Sequence, residues 1–152
     1  MSTTDRIEKS TLIRAPRARV WRALSDAKEF GEWFGAVLEG PFAPGAVVRG
    51  RIADPAYAHV QLEMIIERIE PEQRLAYRWH PYAVEPGVDY SAEPTTLVEI
   101  TLADAPEGTL LTVVESGFDA IPHARRDEAF RMNAGGWAAQ VENVRSHVES
   151  AR

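Results

Sequence analysis

Residues 122–152 read PHARRDEAFRMNAGGWAAQVENVRSHVESAR, and within them Phe130, Ala134, Trp137, Val141, Val144 and Val148 recur at alternating spacings of four and three. At 3.6 residues per turn this draws one apolar stripe along a helix about seven turns long. Such a helix must bury its stripe against something. Nearly everything between residues 36 and 118 reads as strand, so the expected partner is a curved sheet. A long helix lying across a concave sheet leaves a cavity, which points to capture of a small molecule more than to a chemical step.

Inside that stretch stands Gly135-Gly136. Each glycine in a helix interior costs about 1 kcal/mol against alanine. The expectation is a continuous but bent helix, the cost offset by a kink or by close approach to the sheet or a ligand. The alternative is a helix that starts late, near Gly136, after a separate turn.

Outward from the helix, residues 109–116 and 95–103 read as strands joined by the turn Ala105-Pro106-Glu107-Gly108. Residues 81–94 break the rhythm with three prolines, Gly87, Glu85, Asp89, Glu93, Tyr82 and Tyr90. Connections of this length inside a domain are often lids or mobile loops, and a flexible segment gating the cavity entrance is the expectation here. Residues 74–80 alternate, with Leu75, Tyr77 and Trp79 on one face and Arg78 and His80 on the other. Pro71-Glu72-Gln73 reverses the chain before them, and residues 59–69 and 46–52 are two further strands linked through Asp54-Pro55-Ala56. A turn spans 41–45. Near the start, β-branched Ile7, Thr11 and Ile13 mark a first strand, which ends at Ala15-Pro16. Pro16 suits a first helical turn, so a short helix follows to about Ser25. Asp26 can cap a second helix carrying Phe30, Trp33 and Phe34, interrupted by Gly31 and closed by Gly35.

A chain of 152 residues fits one domain over 1–152 and can bury about 70% of its unfolded surface. It has no cysteine, which excludes disulfides, thiolate nucleophiles and cysteine-ligated zinc. A net charge of −6 opposes nonspecific nucleic-acid binding and attraction to anionic membranes. The opening Met-Ser-Thr-Thr-Asp-Arg has no apolar signal core, and no apolar run approaches the roughly 20 residues needed to span a bilayer. A cytoplasmic location without membrane insertion is therefore expected.

Four features in order carry a resemblance: the first strand with Ala15-Pro16 and VWRAL at 20–24, the Trp33-Phe34 pair, ESGF at 115–118, and GWAAQVENV at 136–144. Together they resemble the START-like (SRPBCC) superfamily, and the last narrows this to bacterial single-domain homologues of the activator of heat-shock protein 90 ATPase. The resemblance implies an α+β helix-grip fold, with an antiparallel sheet of six or seven strands around the C-terminal helix and two short helices completing the grip. It also implies binding of lipids, sterols, polyketides or other hydrophobic compounds, and in some members cyclase or aromatase-like activity. The eukaryotic co-chaperone is a larger two-domain protein whose activity also needs an N-terminal domain. These 152 residues are expected to lack a counterpart of that domain, which makes the branch name a poor guide to activity.

Trp33, Phe34, Met64, Tyr77, Trp79, Phe130, Trp137 and Val141 are the expected ligand-binding wall, with a role shared between core and pocket favoured for Trp33, Tyr77 and Trp137. Glu99 is expected to face solvent. Glu115 faces the pocket if it follows Leu111 and Val113, but Leu110 and Val114 are equally apolar, so the alternation leaves both directions open. Facing inward, Glu115 could serve a cyclase or dehydratase as general acid or base, aided by Tyr77 or another pocket donor.

His59, His80, His123 and His147 lack ligand spacing, and no metal site is expected. Ser116 lies outside any nucleophile elbow, and no phosphate loop is present. No cofactor is implied. Arg145, Glu149 and Arg152 read as the solvated face of the last helix. The expected partner is a small hydrophobic molecule, with a homodimer through apolar edge strands as a further possibility. A regulator of a chaperone ATPase is the third functional alternative, after the binder and the enzyme.

Overall fold

The computed structural model describes residues 5–150. Strand β1 (Arg6–Ile13) runs into Pro16, which precedes helix α1 (Arg17–Ser25). Asp26 ends α1 and caps α2 (Ala27–Phe34), its carboxylate accepting from the Glu29 amide at 3.1 Å. Gly35 closes α2 in the left-handed region, with φ at 88°. Gly31 does not interrupt the helix. It lies against the Ala36 carbonyl, and a Cβ there would collide with that oxygen.

Strands β2 (Ala36–Glu39), β3 (Val47–Ile52), β4 (Gln61–Glu70), β5 (Arg74–Trp79), β6 (Thr96–Ala105) and β7 (Gly108–Ser116) follow as an antiparallel meander. β1 adds to the far side of β7, so the seven-stranded order is β1-β7-β6-β5-β4-β3-β2. The four-residue β2 is too short to show an alternation of its own in the sequence. Helix α3 (His123–Ser150) is continuous through Gly135 and Gly136. With the curved sheet and the two short helices after β1, this is a helix-grip fold. No helix among the described residues is long and apolar enough to cross a membrane.

Strand alternation sets the core. Thr109, Leu111, Val113 and Glu115 of β7 face inward beside Val98, Ile100 and Leu102 of β6, while Leu110 is exposed. Glu99 takes the outward phase, half-exposed beside Arg74 at 3.5 Å.

The stripe of α3 is buried at Trp137, Val141, Val144 and Val148, but its first turns are not so neatly covered. There Ala129 is the fully buried residue, and Phe130 packs edge-on against Phe118 with ring centres 5.3 Å apart. Of the offsets expected for the glycine pair, close approach to the sheet is ruled out, because a Cβ at either position would meet open space. Arg152 lies outside the described residues. Arg145 and Glu149 are more than a solvated face, because Glu149 accepts from the Arg14 amide at 2.9 Å and Arg145 pairs with Glu142, which Thr11 reaches at 3.4 Å. These contacts clasp α3 to β1.

Candidate functional site: an aromatic cleft above a buried carboxylate

The sheet register brings three polar positions together. Trp79 lies opposite Thr96 across β5 and β6, and Glu115 lies opposite Val98, two residues along from Thr96 on the same inward face. From the other side α3 contributes Asn133 and Trp137, one turn apart. Glu115 is 0% exposed. Its Oε2 accepts from Trp79 Nε1 at 2.7 Å and Thr96 Oγ1 at 2.5 Å, and its Oε1 accepts from Trp137 Nε1 at 2.8 Å. Asn133 Nδ2 reaches both oxygens, at 3.0 and 3.2 Å. Both oxygens thus accept, the pattern of a carboxylate. No arginine, lysine or histidine pairs with it among the described residues. A buried negative charge is tolerable only when hydrogen-bonded in this way.

Over this carboxylate opens a cleft of about 880 Å³. Phe34, Trp79 and Trp137 form an aromatic group at its floor, with ring centres 5.8 Å (Phe34–Trp79), 6.2 Å (Phe34–Trp137) and 5.9 Å (Trp79–Trp137) apart. Gly136 and Gln140 of α3 continue the floor, β3 and β4 supply the opposite wall through Gly50, Ile52 and Leu62, and residues 82–91 form the rim.

That rim is tied down. Arg125 of α3 donates to Glu93 at 2.7 and 2.9 Å and to the Tyr82 carbonyl at 3.1 Å, and its guanidinium lies 4.8 Å from the centre of the Tyr90 ring. His59 Nε2 meets the Val84 carbonyl at 2.8 Å, and His80 Nε2 meets that of Glu93 at 3.0 Å. Two of the scattered histidines therefore hold a loop. Among the described residues no group of three or more acidic, histidine or cysteine side chains is arranged to hold a metal.

Of the residues expected to form the wall, Phe34, Trp79 and Trp137 line the cleft and Glu115 lies under it. Trp33, Met64, Tyr77, Phe130 and Val141 do not line it. Trp33 spends its indole N–H on the Ala23 carbonyl at 2.9 Å, joining α2 to α1. Met64 and Val141 are packed in the core, and Phe130 pairs with Phe118. Tyr77 is 0% exposed and its hydroxyl finds no partner. Burial, and then the negative charge of Glu115, push its phenol well above the usual tyrosine range. Sequence reasoning missed Asn133, Thr96 and Gln140, and singled out Gly136 only through the cost of a glycine pair inside a helix. The signal for Asn133 was its place one turn before Trp137, and that for Thr96 its phase with Val98 and Ile100.

A family model for Activator of Hsp90 ATPase homolog 1-like proteins matches residues 14–149. The chain belongs to this family. Solved structures similar to this chain include protein MLL2253 from Mesorhizobium loti, 22% identical over 97% of this chain and 98% of that one, with a TM-score of 0.76. DynU16, a protein in the dynemicin biosynthetic locus, is 24% identical over 96% of this chain, with a TM-score of 0.74. The chain spans about half of DynU16, 48% of its length. The Aha1 dimer from Colwellia psychrerythraea is 13% identical over 95% of this chain and 96% of that one, with a TM-score of 0.71. At these identities the likeness is one of fold. No curated protein matches the chain. The family and its fold are consistent with ligand binding.

Proposed function

We propose that this protein is a cytoplasmic carrier or receptor for a small hydrophobic or amphipathic molecule, held in the cleft between the sheet and α3. The observation that carries the reading is the cleft of about 880 Å³ floored by Phe34, Trp79 and Trp137. Its size and aromatic floor are those of small-molecule sites generally. The open space beside Gly136 supports it too, because that glycine leaves room for a ligand against the helix backbone.

An acid or base role for Glu115 stands behind this reading. Both oxygens are occupied by four donor side chains, so a substrate would have to displace one of them. A chaperone-ATPase regulator needs a protein-facing surface, and the family's description is its main support. A homodimer belongs to the proposal as well, supported by the dimeric neighbour and by Val37, 48% exposed on edge strand β2.

Screening hydrophobic compounds against the purified chain by thermal shift, with native mass spectrometry for co-purifying ligands, tests the binding reading. Binders that raise Tm in the wild type and fail to do so in Trp137→Ala are expected. A library without a single stabilising compound, together with a bare mass, would overturn it.

A further inference from the structure

Most of the polar groups at the cleft floor are engaged by the protein itself. Both indole N–H groups point at Glu115, and so does the Asn133 amide. Gln140 Nε2 donates to the Phe34 carbonyl at 2.8 Å, and its Oε1 accepts from Asn143 at 3.0 Å. The floor therefore offers a ligand mainly aromatic surface, with one Gln140 N–H left over, and at the N–H edges of the two indoles lies a carboxylate with no cationic partner among the described residues. Hydrogen bonding to an anion makes the indoles more electron-rich, which strengthens the attraction of their faces for positive charge. Phe34 packs against both indoles, and the three rings together form an aromatic surface of the kind that attracts an alkylated ammonium group.

The rest of the lining is mixed in sign with an excess of acids, and its two histidines, His59 and His80, are bonded to backbone carbonyls. Glu39, Glu63, Glu85 and Asp89 share the lining with Arg49 and Arg51, and Arg49 is already paired with Glu63 at 3.3 Å. With Glu115 beneath the floor, the acids outweigh Arg51. Field lines focused in such a cleft raise the local concentration of cations and repel anions.

We propose that the ligand is an organic cation, a quaternary or protonated amine on an apolar body, seated on Phe34, Trp79 and Trp137 with Glu115 as its buried counter-charge. This rests on the cleft being the binding site. Ligand selection then comes more from the charge under the floor than from hydrogen bonds at its surface. Glu115 acts through the two indoles and is a positioning residue.

Three probes of nearly one shape test this on the intact chain by tryptophan fluorescence titration: benzyltrimethylammonium, its uncharged carbon isostere neopentylbenzene, and the anion 4-tert-butylbenzoate. The cation is expected to bind at least tenfold more tightly than the isostere, with the anion weakest. Glu115→Gln is expected to bring cation and isostere within about threefold by weakening the cation alone. If that variant does not fold, Asp89→Asn and Glu85→Gln on the rim are expected to lower the cation preference two- to threefold, and added salt to do the same. Dihexanoylphosphatidylcholine binding as tightly as benzyltrimethylammonium identifies a lipid headgroup as the source of the cation, and its failure to bind identifies a free amine. Equal affinity for cation and isostere, or preference for the anion, overturns the charge selection and leaves the cleft as a binding site. Absence of binding by all the probes overturns both.

Discussion

Trp79 and Trp137 come from opposite layers of the fold, β5 and α3, yet their indole N–H groups meet on the two oxygens of one carboxylate, at 2.7 and 2.8 Å. Their rings lie 5.9 Å apart at 31°. The helix is thus pinned to the sheet by a buried polar knot as well as by its apolar stripe. Cutting the knot leaves donors stranded in an interior that cannot solvate them. Glu115→Ala is expected to cost about 3–5 kcal/mol, since an unpaired buried donor costs about 1–3 kcal/mol. Trp137→Phe, which keeps the ring and loses one N–H, is expected to cost about 1–2 kcal/mol. Urea unfolding would measure both, and an Ala cost under about 1 kcal/mol would show the knot to be dispensable.

Gly135 and Gly136 separate helix stability from function. A Cβ at either meets open space, so alanine is expected to stabilise α3 by about 0.5–1 kcal/mol at each position. Only Gly136 lines the cleft. Gly136→Ala should therefore weaken ligand binding while raising Tm, and Gly135→Ala should raise Tm alone. A loss of stability in either variant would contradict the free space.

Arg125 clasps the rim loop through Glu93, Tyr82 and Tyr90. The Arg125 and Glu93 side chains are 18% and 20% exposed, so the contact is only partly screened. Arg125→Gln is expected to cost no more than about 1 kcal/mol globally. Its effect should concentrate in hydrogen exchange, with the Glu85 and Glu93 amides, bonded to Tyr90 Oη and the Tyr90 carbonyl, exchanging several-fold faster. Unchanged exchange there would remove the clasp from the account.

Glu29 ties the three helices together. Burial pushes its carboxyl up, but His147 at 2.8 Å, Arg19 at 2.8 Å and Arg22 at 2.9 Å outweigh this and hold it below the ordinary value. The Arg19 contact is an ion pair by distance without hydrogen-bond alignment, since its Nη1 has no hydrogen-bond partner. With the folded pKa depressed, Glu29 adds stability that is fully present above the unfolded value of about 4.3 and is lost as pH falls through the lower folded value. Glu29→Gln is expected to cost about 1–3 kcal/mol at pH 7, with the gap from wild type closing at acid pH. A gap constant from pH 7 to pH 3 would contradict the linkage.

Much of the architecture was legible because it depends on local periodicity. The α3 stripe, the alternation of Leu75, Tyr77 and Trp79, the proline before α1 and the Asp26 cap each act within one element, and each needs only neighbours a few residues away. Short β2 was not legible as an element because four residues hold too little pattern.

The site was only half legible. Phe34, Trp79 and Trp137 could be named as large aromatics, and so could Trp33 and Tyr77, which lie away from the cleft. What separates the two sets is where each polar atom ends: the Trp33 N–H reaches α1, the Tyr77 hydroxyl reaches nothing, and the other two indoles reach Glu115. Thr96 and Asn133 carried no distinguishing residue chemistry.

By itself, then, the sequence determined the order of the elements other than β2, the helix-grip pattern and the family, because these follow from spacings and motifs along one dimension. Only the tertiary structure decided that Glu115 faces inward, since two apolar phases on β7 were equivalent until β6 and α3 covered one of them. Only it could bring Trp79, Thr96, Asn133 and Trp137 onto one carboxylate, because a hydrogen bond between residues far apart in the chain depends on register and helix placement.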